Sequence, residues 1–214
     1  MSTPIATLLR SKIVWRVSGI TYPTAVVATR GRYTSPEGYI QTSKHQMEGL
    51  MPLLPASRVL EFGCGLGGNL LAIAQNIQVG YGLDVNSGYL RIARRLARRF
   101  RIENVHFSRY DGTAIPEFGL LDLVICVGVF ERLPPAAVAG YIRQLMLQTA
   151  PSGRLAMCFL MDRARGTPFS KRLGDAAYHF WTRDEIESLA SSLGLRIEAI
   201  FGFSEAADLY VLRH

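Results

Sequence analysis

The sequence contains few cysteines and no long hydrophobic run. Its 214 residues include three cysteines, Cys64, Cys126 and Cys158, which are far apart and form no C-x-x-C pair. This pattern favours neither a disulfide framework nor a zinc site, so no metal is expected. The longest apolar stretch, Leu120 to Phe130, is eleven residues long and contains Asp122. A bilayer requires ~20 apolar residues, so no membrane span is predicted.

A signal peptide is not indicated either, because Arg10, Lys12 and Arg16 divide the apolar residues of the N-terminus. The expected location is therefore cytoplasmic. Only 19% of the residues are charged, whereas 49% are hydrophobic. That balance excludes a highly charged disordered chain and predicts one sizeable core.

Acidic residues are the scarcer charge, with 17 against 24 Lys plus Arg and a net charge of +7. Six arginines fall within Arg91–Arg101, and no acid lies among them. Such a segment is typical of a nucleic-acid contact, an anionic-lipid contact or a solvated helix face. Apolar residues recur there at helical spacing and should face the core, namely Tyr89, Ile92, Ala93, Leu96 and Phe100. The arginines are therefore predicted on the outer face of one helix, where nucleic-acid binding is not favoured but stays open.

Short apolar runs alternate with helical patterns after residue 56, which predicts an α/β domain with a mainly parallel sheet. The predicted strands are Arg58–Phe62, Val79–Asp84, Val105–Arg109, Leu121–Val127, Arg154–Leu160, Arg196–Phe203 and Asp208–Arg213. The predicted helices are Gly68–Gln75, Ser87–Arg101, Pro135–Thr149 and one that follows a Thr182 cap to Ser192. About four residues separate the last two strands, too few for a parallel crossover, so the final strand should be antiparallel.

The first 55 residues have a different pattern. A possible amphipathic helix spans Ile5–Val17, and a second helical pattern places Met47, Leu50, Met51 and Leu54 on one side. We therefore divide the chain into a helical N-terminal extension or lid, residues 1–55, and a main domain, residues 56–214.

A glycine-rich turn follows the first strand of the main domain. Gly63, Gly65, Gly67 and Gly68 fall within six residues, between a strand and a helix. Glycine allows positive φ and close approach of a ligand, and a helix N-terminus offers free N–H groups. A tight turn that binds nothing is the less favoured interpretation.

Glu61 distinguishes two kinds of ligand for this turn. The glycines also satisfy G-x-G-x-x-G, a dinucleotide fingerprint, and Asp84 lies about 20 residues on. However, a carboxylate two residues before Gly63 is unfavourable beside a pyrophosphate and favourable beside an amino group. The turn therefore favours a ligand with a positively charged head.

In these motifs the chain resembles the class I S-adenosylmethionine-dependent methyltransferases over about residues 56–213. The resemblance implies a Rossmann-like, seven-stranded, mostly parallel sheet with helices on both faces and an antiparallel last strand. It implies that Glu61 to Gly67 hold the methionine part of S-adenosylmethionine. The implied cofactor residues are Glu61, Phe62, Gly63, Cys64, Gly65, Gly67, Asp84, Val85, Asp111, Gly112 and Cys126.

Roles follow from the same resemblance. Asp84 would accept hydrogen bonds from both ribose hydroxyls, while Asp111 and the Gly112 N–H would contact adenine. The segment Cys126–Glu131 would line cofactor and acceptor. Each acid, seen alone, is also consistent with an ordinary strand end.

Two residues are candidate catalytic bases, Glu131 and His179. Many small-molecule members have Glu-His where Glu131-Arg132 stands, so the usual imidazole is missing. His179 then becomes the better candidate, although it also fits a packing role, and Glu131 also fits a helix cap. Arg132 is a candidate for binding an anionic group.

Three other residues are weaker candidates for contact with the site: His45, Tyr33 and Tyr39. Surface exposure or core packing explains each of them equally well or better.

The expected acceptor is a small molecule, for example one with a hydroxyl of a sugar or natural product, and anionic acceptors are included. No Asn-Pro-Pro-Tyr, Asp-Pro-Pro-Tyr or Pro-Cys sequence follows the fourth strand, which disfavours nucleic-acid amino methylation and covalent cytosine chemistry. An RNA- or protein-modifying methyltransferase and a non-catalytic cofactor-binding protein are the alternatives, and a nicotinamide oxidoreductase is a remote one. The expected assembly is a monomer or homodimer.

Overall fold

One seven-stranded sheet organises the computed structural model, which describes residues 35–54, 56–166 and 178–214. The strands are β1 (Ala56–Phe62), β2 (Ile77–Asp84), β3 (Val105–Arg109), β4 (Leu121–Cys126), β5 (Thr149–Leu160), β6 (Arg196–Ser204) and β7 (Ala207–Arg213). Their order is β3-β2-β1-β4-β5-β7-β6. The first five are parallel, and β7 is antiparallel to both neighbours. The predicted Rossmann-like fold is confirmed.

Helices cover both faces of the sheet. They are α1 (Pro36–Met47), α2 (Gly68–Ile73), α3 (Ser87–Arg99), α4 (Pro135–Met146) and α5 (Arg183–Ser192). Short 3₁₀ turns span Glu48–Leu53, Ala74–Asn76, Phe130–Arg132 and Asp162–Ala164. The predicted helix at Ile5–Val17, together with Tyr33, lies outside the described residues.

Local sequence explains where the helices begin. Asn86 caps α3, since its side-chain oxygen accepts from the N–H groups of Gly88 and Tyr89 at 2.9 and 3.1 Å. Thr182 and Glu185 form the predicted capping box at the start of α5. These caps hold both helix starts at the sheet edge where the parallel strands end.

The core has two halves, one on each face of the sheet. Residues of α1, α2 and α3 share one cluster with Val59, Phe107 and Ile125. Residues of α4 and α5 share the other cluster with Leu60, Val124 and the aromatic Trp181. Each helix therefore places apolar residues against the sheet, and for α3 these include Tyr89, Ile92, Ala93 and Leu96, as its amphipathic pattern predicted.

Strand β5 differs from the prediction at its start. It begins at Thr149 rather than Arg154, and α4 ends at Met146 rather than Thr149. Pro151, Ser152 and Gly153 lie inside the strand, where the pairing jumps from Leu121↔Thr149 to Leu123↔Arg154. This irregularity absorbs the residues that the sequence predicted as a turn before the strand.

The pattern after α1 was also partly wrong. Met47 and Leu50 are buried, but Met51 is 41% exposed. The chain leaves the α-helix at Met47 and continues as a 3₁₀ turn, which rotates side chains out of the predicted helical register. No helix within the described ranges is long and apolar enough to span a membrane.

Candidate active site

The glycine-rich turn lies between β1 and α2 in a backbone conformation that demands glycine. Gly63, Gly65 and Gly67 have φ values of 76°, 54° and 77°, which side chains on L-residues disfavour. The N–H groups of Gly63 and Cys64 both donate to the Leu83 carbonyl, at 2.8 and 2.9 Å. The turn is thereby tied to the end of β2.

The three glycines differ in the space around them. A Cβ at Gly63 would lie 2.2 Å from a Val129 methyl, and one at Gly67 would lie 2.5 Å from the Phe107 ring. A Cβ at Gly65 would meet no atom of residues 35–54, 56–166 or 178–214 within 4 Å. Gly63 and Gly67 are therefore required by packing, whereas Gly65 borders open space that a ligand could fill.

Glu61 is a buried carboxyl below this turn, with 2% of its surface exposed. Its Oε1 accepts a hydrogen bond from the Asn69 side chain at 2.6 Å. Its Oε2 is buried and has no hydrogen-bond partner among the described residues. Burial raises the pKa of Glu61 to about 8, against the opposing effects of hydrogen bonds from the Asn69 side chain and the Leu70 backbone N–H. A bound group with a hydrogen-bond donor or a positive charge would therefore stabilise the ionised form of Glu61.

Asp84 ends β2 beside the same turn. Its two oxygens accept from the N–H groups of Gly65 and Asn86, each at 2.8 Å. Burial raises the pKa of Asp84, although these backbone hydrogen bonds oppose the rise. Each carboxylate oxygen has a further lone pair, so the residue remains able to accept from a ligand's hydroxyl groups. Val85, the next residue, is half-buried against the core.

Asp111 lies in the turn after β3 and is exposed. Its Oδ1 accepts from the backbone and the hydroxyl of Thr113, at 2.8 and 2.6 Å. The neighbouring Gly112 carbonyl accepts from the Tyr141 hydroxyl at 3.1 Å. Phe62 packs on this side, with its ring 5.1 Å from that of Tyr141. The predicted adenine residues thus lie together at the sheet edge.

Two cysteines predicted at the cofactor site are buried. Cys64 is 5% exposed and Cys126 is fully buried. Burial raises the pKa of both thiols well above the usual range, which keeps them neutral. Cys126 ends β4, one residue earlier than predicted.

The loop after β4 places Glu131 and Arg132. The Glu131 side chain is 12% exposed, and its Oε1 is 3.7 Å from the Arg132 Nε. Arg132 donates to the Gly128 carbonyl at 3.2 Å and to the Tyr178 hydroxyl at 2.9 Å. Its guanidinium thus bridges two loops and is already partnered.

His179 joins this loop from a distant part of the chain. Its N–H donates to the Glu131 carbonyl at 2.7 Å, and its ring lies edge-on to Trp181, with centroids 4.5 Å apart. The imidazole Nε2 is 3.6 Å from Glu185 Oε1. The two predicted bases are therefore neighbours through the backbone, and the imidazole lies beside Glu185.

Sequence reasoning missed several of these contacts. Asn69 and Asn86 support the two acids, and Glu185 faces His179. Asn86 directly precedes a helix and so carried a readable capping signal. Nothing in the sequence spacing links Asn69 to Glu61 or Glu185 to His179, since those pairs meet only in the fold.

The weaker candidates have separate positions. His45 is 80% exposed and lies 3.1 Å from Glu48, so it is a surface residue. Tyr39 is half-buried, and its hydroxyl accepts from the Gly68 N–H at 3.1 Å. It therefore touches the start of α2 and connects α1 to the glycine turn.

Comparison with known families gives a match over the same region. A family model described as a methyltransferase domain matches residues 59–153. That segment begins in β1 and ends within β5, so it contains the glycine turn, both strand-end acids and the loop after β4.

A curated sequence relative is an uncharacterized protein of Rickettsia prowazekii, 31% identical over 86 residues. The match covers 39% of this chain but only 16% of that relative. The chain thus corresponds to a small part of the relative's length.

Solved structures share the fold at low identity. A SAM-dependent methyltransferase from Leishmania major is 14% identical, with a TM-score of 0.72, and the match covers 97% of this chain and 83% of that one. The magnesium protoporphyrin IX methyltransferase of Synechocystis PCC 6803 with bound SAM is 19% identical, with a TM-score of 0.69 and coverage of 95% and 97%.

Proposed function

We propose that this chain, which carries a domain of the class I S-adenosylmethionine-dependent methyltransferase family, transfers a methyl group to a hydroxyl of a small molecule. The observation that carries the proposal is the pairing of open space at Gly65 with a Glu61 oxygen beneath the same turn that has no hydrogen-bond partner in the described part of the chain. An amino acid head group would fill the first and donate to the second.

The residues fit S-adenosylmethionine on chemical grounds. Glu61 supplies an acceptor for the positively charged amino group, and Asp84 supplies lone pairs for the ribose hydroxyls. Phe62, Val85, Asp111 and Gly112 line the side proposed for adenine, and Gly63, Cys64, Gly65, Gly67 and Cys126 complete the proposed cofactor set. The bound cofactor supplies an activated methyl group on a sulfonium.

The protein's own task is to orient the acceptor and to take its proton. We assign these tasks to the region of Glu131 and His179, which lie after β4 and β5 at the same sheet edge as Asp84. Either side chain is able to accept a proton from a hydroxyl as the new bond to carbon forms. Packing of His179 on Trp181 limits the ring to few orientations.

Residues 1–55 are proposed as an extension of the main domain. Within its described residues, 35–54, helix α1 packs against α2 through Tyr39 and Ser43, whose side-chain oxygens would clash with a Cβ at Gly68. This contact places α1 beside the glycine turn, where it is positioned to restrict access. The proposed setting is the cytoplasm, as a monomer or homodimer.

The test is transfer of a labelled methyl group from S-adenosylmethionine. The full chain would be incubated with a panel of sugars, phenols and hydroxy acids, with bulk RNA and protein as separate arms. Labelled small-molecule product that disappears in Asp84→Asn supports the proposal. Labelled RNA or protein would replace it with the macromolecular alternative, and cofactor binding without transfer in any arm would favour a non-catalytic role.

A further inference from the structure

The outer face of α3 presents a concentrated positive charge. Its six arginines, with Arg101 just past the helix end, are all exposed: Arg91, Arg94, Arg95, Arg98, Arg99 and Arg101. The helix's apolar residues are buried against the sheet. What α3 offers to solvent is therefore almost entirely guanidinium.

Two of these arginines are already occupied. Arg94 donates to the Phe107 carbonyl of β3 at 2.5 Å, and Arg99 forms an ion pair with Glu37 at 2.7 Å. Arg94 thereby covers part of the open edge of the sheet, and Arg99 joins α3 to α1. Both have a structural explanation that requires no partner.

Arg91, Arg95 and Arg98 have no such explanation. Within the described residues their guanidinium groups form no hydrogen bond or ion pair. The spacing i, i+4, i+7 places them on one side of the helix. With a rise of 1.5 Å per residue, the row spans about 10 Å. One strand of a nucleic acid carries a phosphate about every 3.4 Å along a duplex axis, so the row matches about three phosphates.

We propose that this arginine row, Arg91, Arg95 and Arg98, binds the phosphodiester backbone of a nucleic acid. Arginine forms paired hydrogen bonds with phosphate oxygens, and uniform positive charge complements a polyanion. A membrane surface is the less favoured partner, because the apolar side of α3 faces the core and has nothing to insert among lipids. Contacts of this kind recognise the backbone without reading sequence.

The row also has a defined place relative to the candidate active site. Helix α3 begins at Ser87, directly after Asp84 and its capping residue Asn86, and runs away from the sheet edge. A bound strand would therefore lie beside the proposed adenosine side and not in front of Glu131. Binding through the row would recruit the protein to a nucleic acid, and this role is separate from the proposed small-molecule methylation.

The test is fluorescence anisotropy with the full chain and a labelled 20-nucleotide single-stranded RNA, between 50 and 200 mM KCl. We expect a Kd of about 1–100 μM and a linear fall of log affinity with log salt. A DNA of the same sequence should bind similarly. The triple variant Arg91→Gln, Arg95→Gln, Arg98→Gln neutralises the row. It should reduce the slope of log affinity against log salt concentration by about 2 in magnitude.

The matched control is Arg143→Gln, Arg196→Gln, Arg213→Gln. It lowers the net charge of +7 by the same three units, from residues on α4, β6 and β7. An equal loss of RNA affinity in both triple variants would contradict the proposal, because net charge alone would then explain binding. Absence of RNA binding, or tighter row-dependent binding to phosphatidylglycerol vesicles, would also overturn it. A single Arg95→Glu variant repeats the test with minimal change, and an unchanged Tm verifies folding.

Discussion

The glycine turn after β1 and the loop after β4 lie at the same edge of the sheet but are held in different ways. The turn is fixed by backbone hydrogen bonds to the end of β2. Its glycines have positive φ values, which other residues rarely adopt. The loop is fixed by contacts with the segment around Tyr178 and His179, almost 50 residues later. The first region is marked in the sequence by its glycine spacing, whereas the second depends on contacts with a distant segment that no spacing marks.

Among variants of these two regions, Gly63→Ala is expected to have the largest effect on stability. The added methyl would meet Val129 in a backbone with positive φ, so we expect a loss of about 2–4 kcal/mol in the free energy of unfolding. Chemical denaturation measures it.

Gly65→Ala is the matched control for that variant. Its φ is also positive, but its added methyl enters open space, so a smaller loss of about 1 kcal/mol is expected. Its affinity for S-adenosylmethionine should nevertheless fall at least tenfold. Normal affinity in Gly65→Ala would show that the open space is not ligand space.

Glu61 gives the glycine turn a pH dependence. Because its pKa is raised to about 8 in the fold, the contribution of its neutral form to the stability of the unliganded protein is fully present below the ordinary glutamate pKa, and it is lost as the pH rises through 8. We expect wild-type stability to fall between pH 5 and 8 by up to a few kcal/mol relative to Glu61→Gln.

Thermal unfolding of both proteins across that pH range measures the difference. Parallel curves for wild type and Glu61→Gln would contradict the assignment of a buried, uncompensated carboxyl. Binding of S-adenosylmethionine should narrow the difference, because its amino group supplies the missing positive charge.

Tyr39→Phe should have a smaller effect. It removes the hydroxyl that accepts from the Gly68 N–H at 3.1 Å, and a hydrogen bond of this type contributes about 1 kcal/mol. We expect a loss of that order, measured by denaturation. Tyr178→Phe provides the comparison on the other region, since its hydroxyl accepts from Arg132. No loss of stability in Tyr39→Phe, beside a measurable loss in Tyr178→Phe, would contradict a stabilising role for the Tyr39 hydroxyl.

His179→Asn is expected to have the smallest effect on cofactor affinity. The imidazole contacts Trp181 and faces Glu185, and neither belongs to the proposed cofactor set. Calorimetry should give a Kd for S-adenosylmethionine within about twofold of wild type, while methyl transfer to an acceptor found in the panel falls by about 10²-fold or more. A large loss of cofactor affinity in His179→Asn would contradict this assignment and would indicate that His179 contacts the cofactor.

The same comparison explains what the sequence could predict. The positions of most strands, the glycine turn and Asp84 follow from local patterns, because hydrophobic periodicity and glycine spacing act over a few residues. The predicted start of β5 was wrong because Pro151 to Gly153 are residue types typical of turns, yet they lie within an irregular part of the strand. Asn69 and Glu185 were missed because their partners, Glu61 and His179, are reached only through folding.

The most direct test of the account is calorimetric titration of S-adenosylmethionine into the wild-type chain and Asp84→Asn. Asn keeps the size of the side chain and a hydrogen-bond acceptor but removes the charge between the Gly65 and Asn86 N–H groups. The account predicts one site in the wild type and an affinity at least tenfold lower in the variant, with folding confirmed by Tm. Absence of wild-type binding, or equal affinity in both proteins, would contradict it.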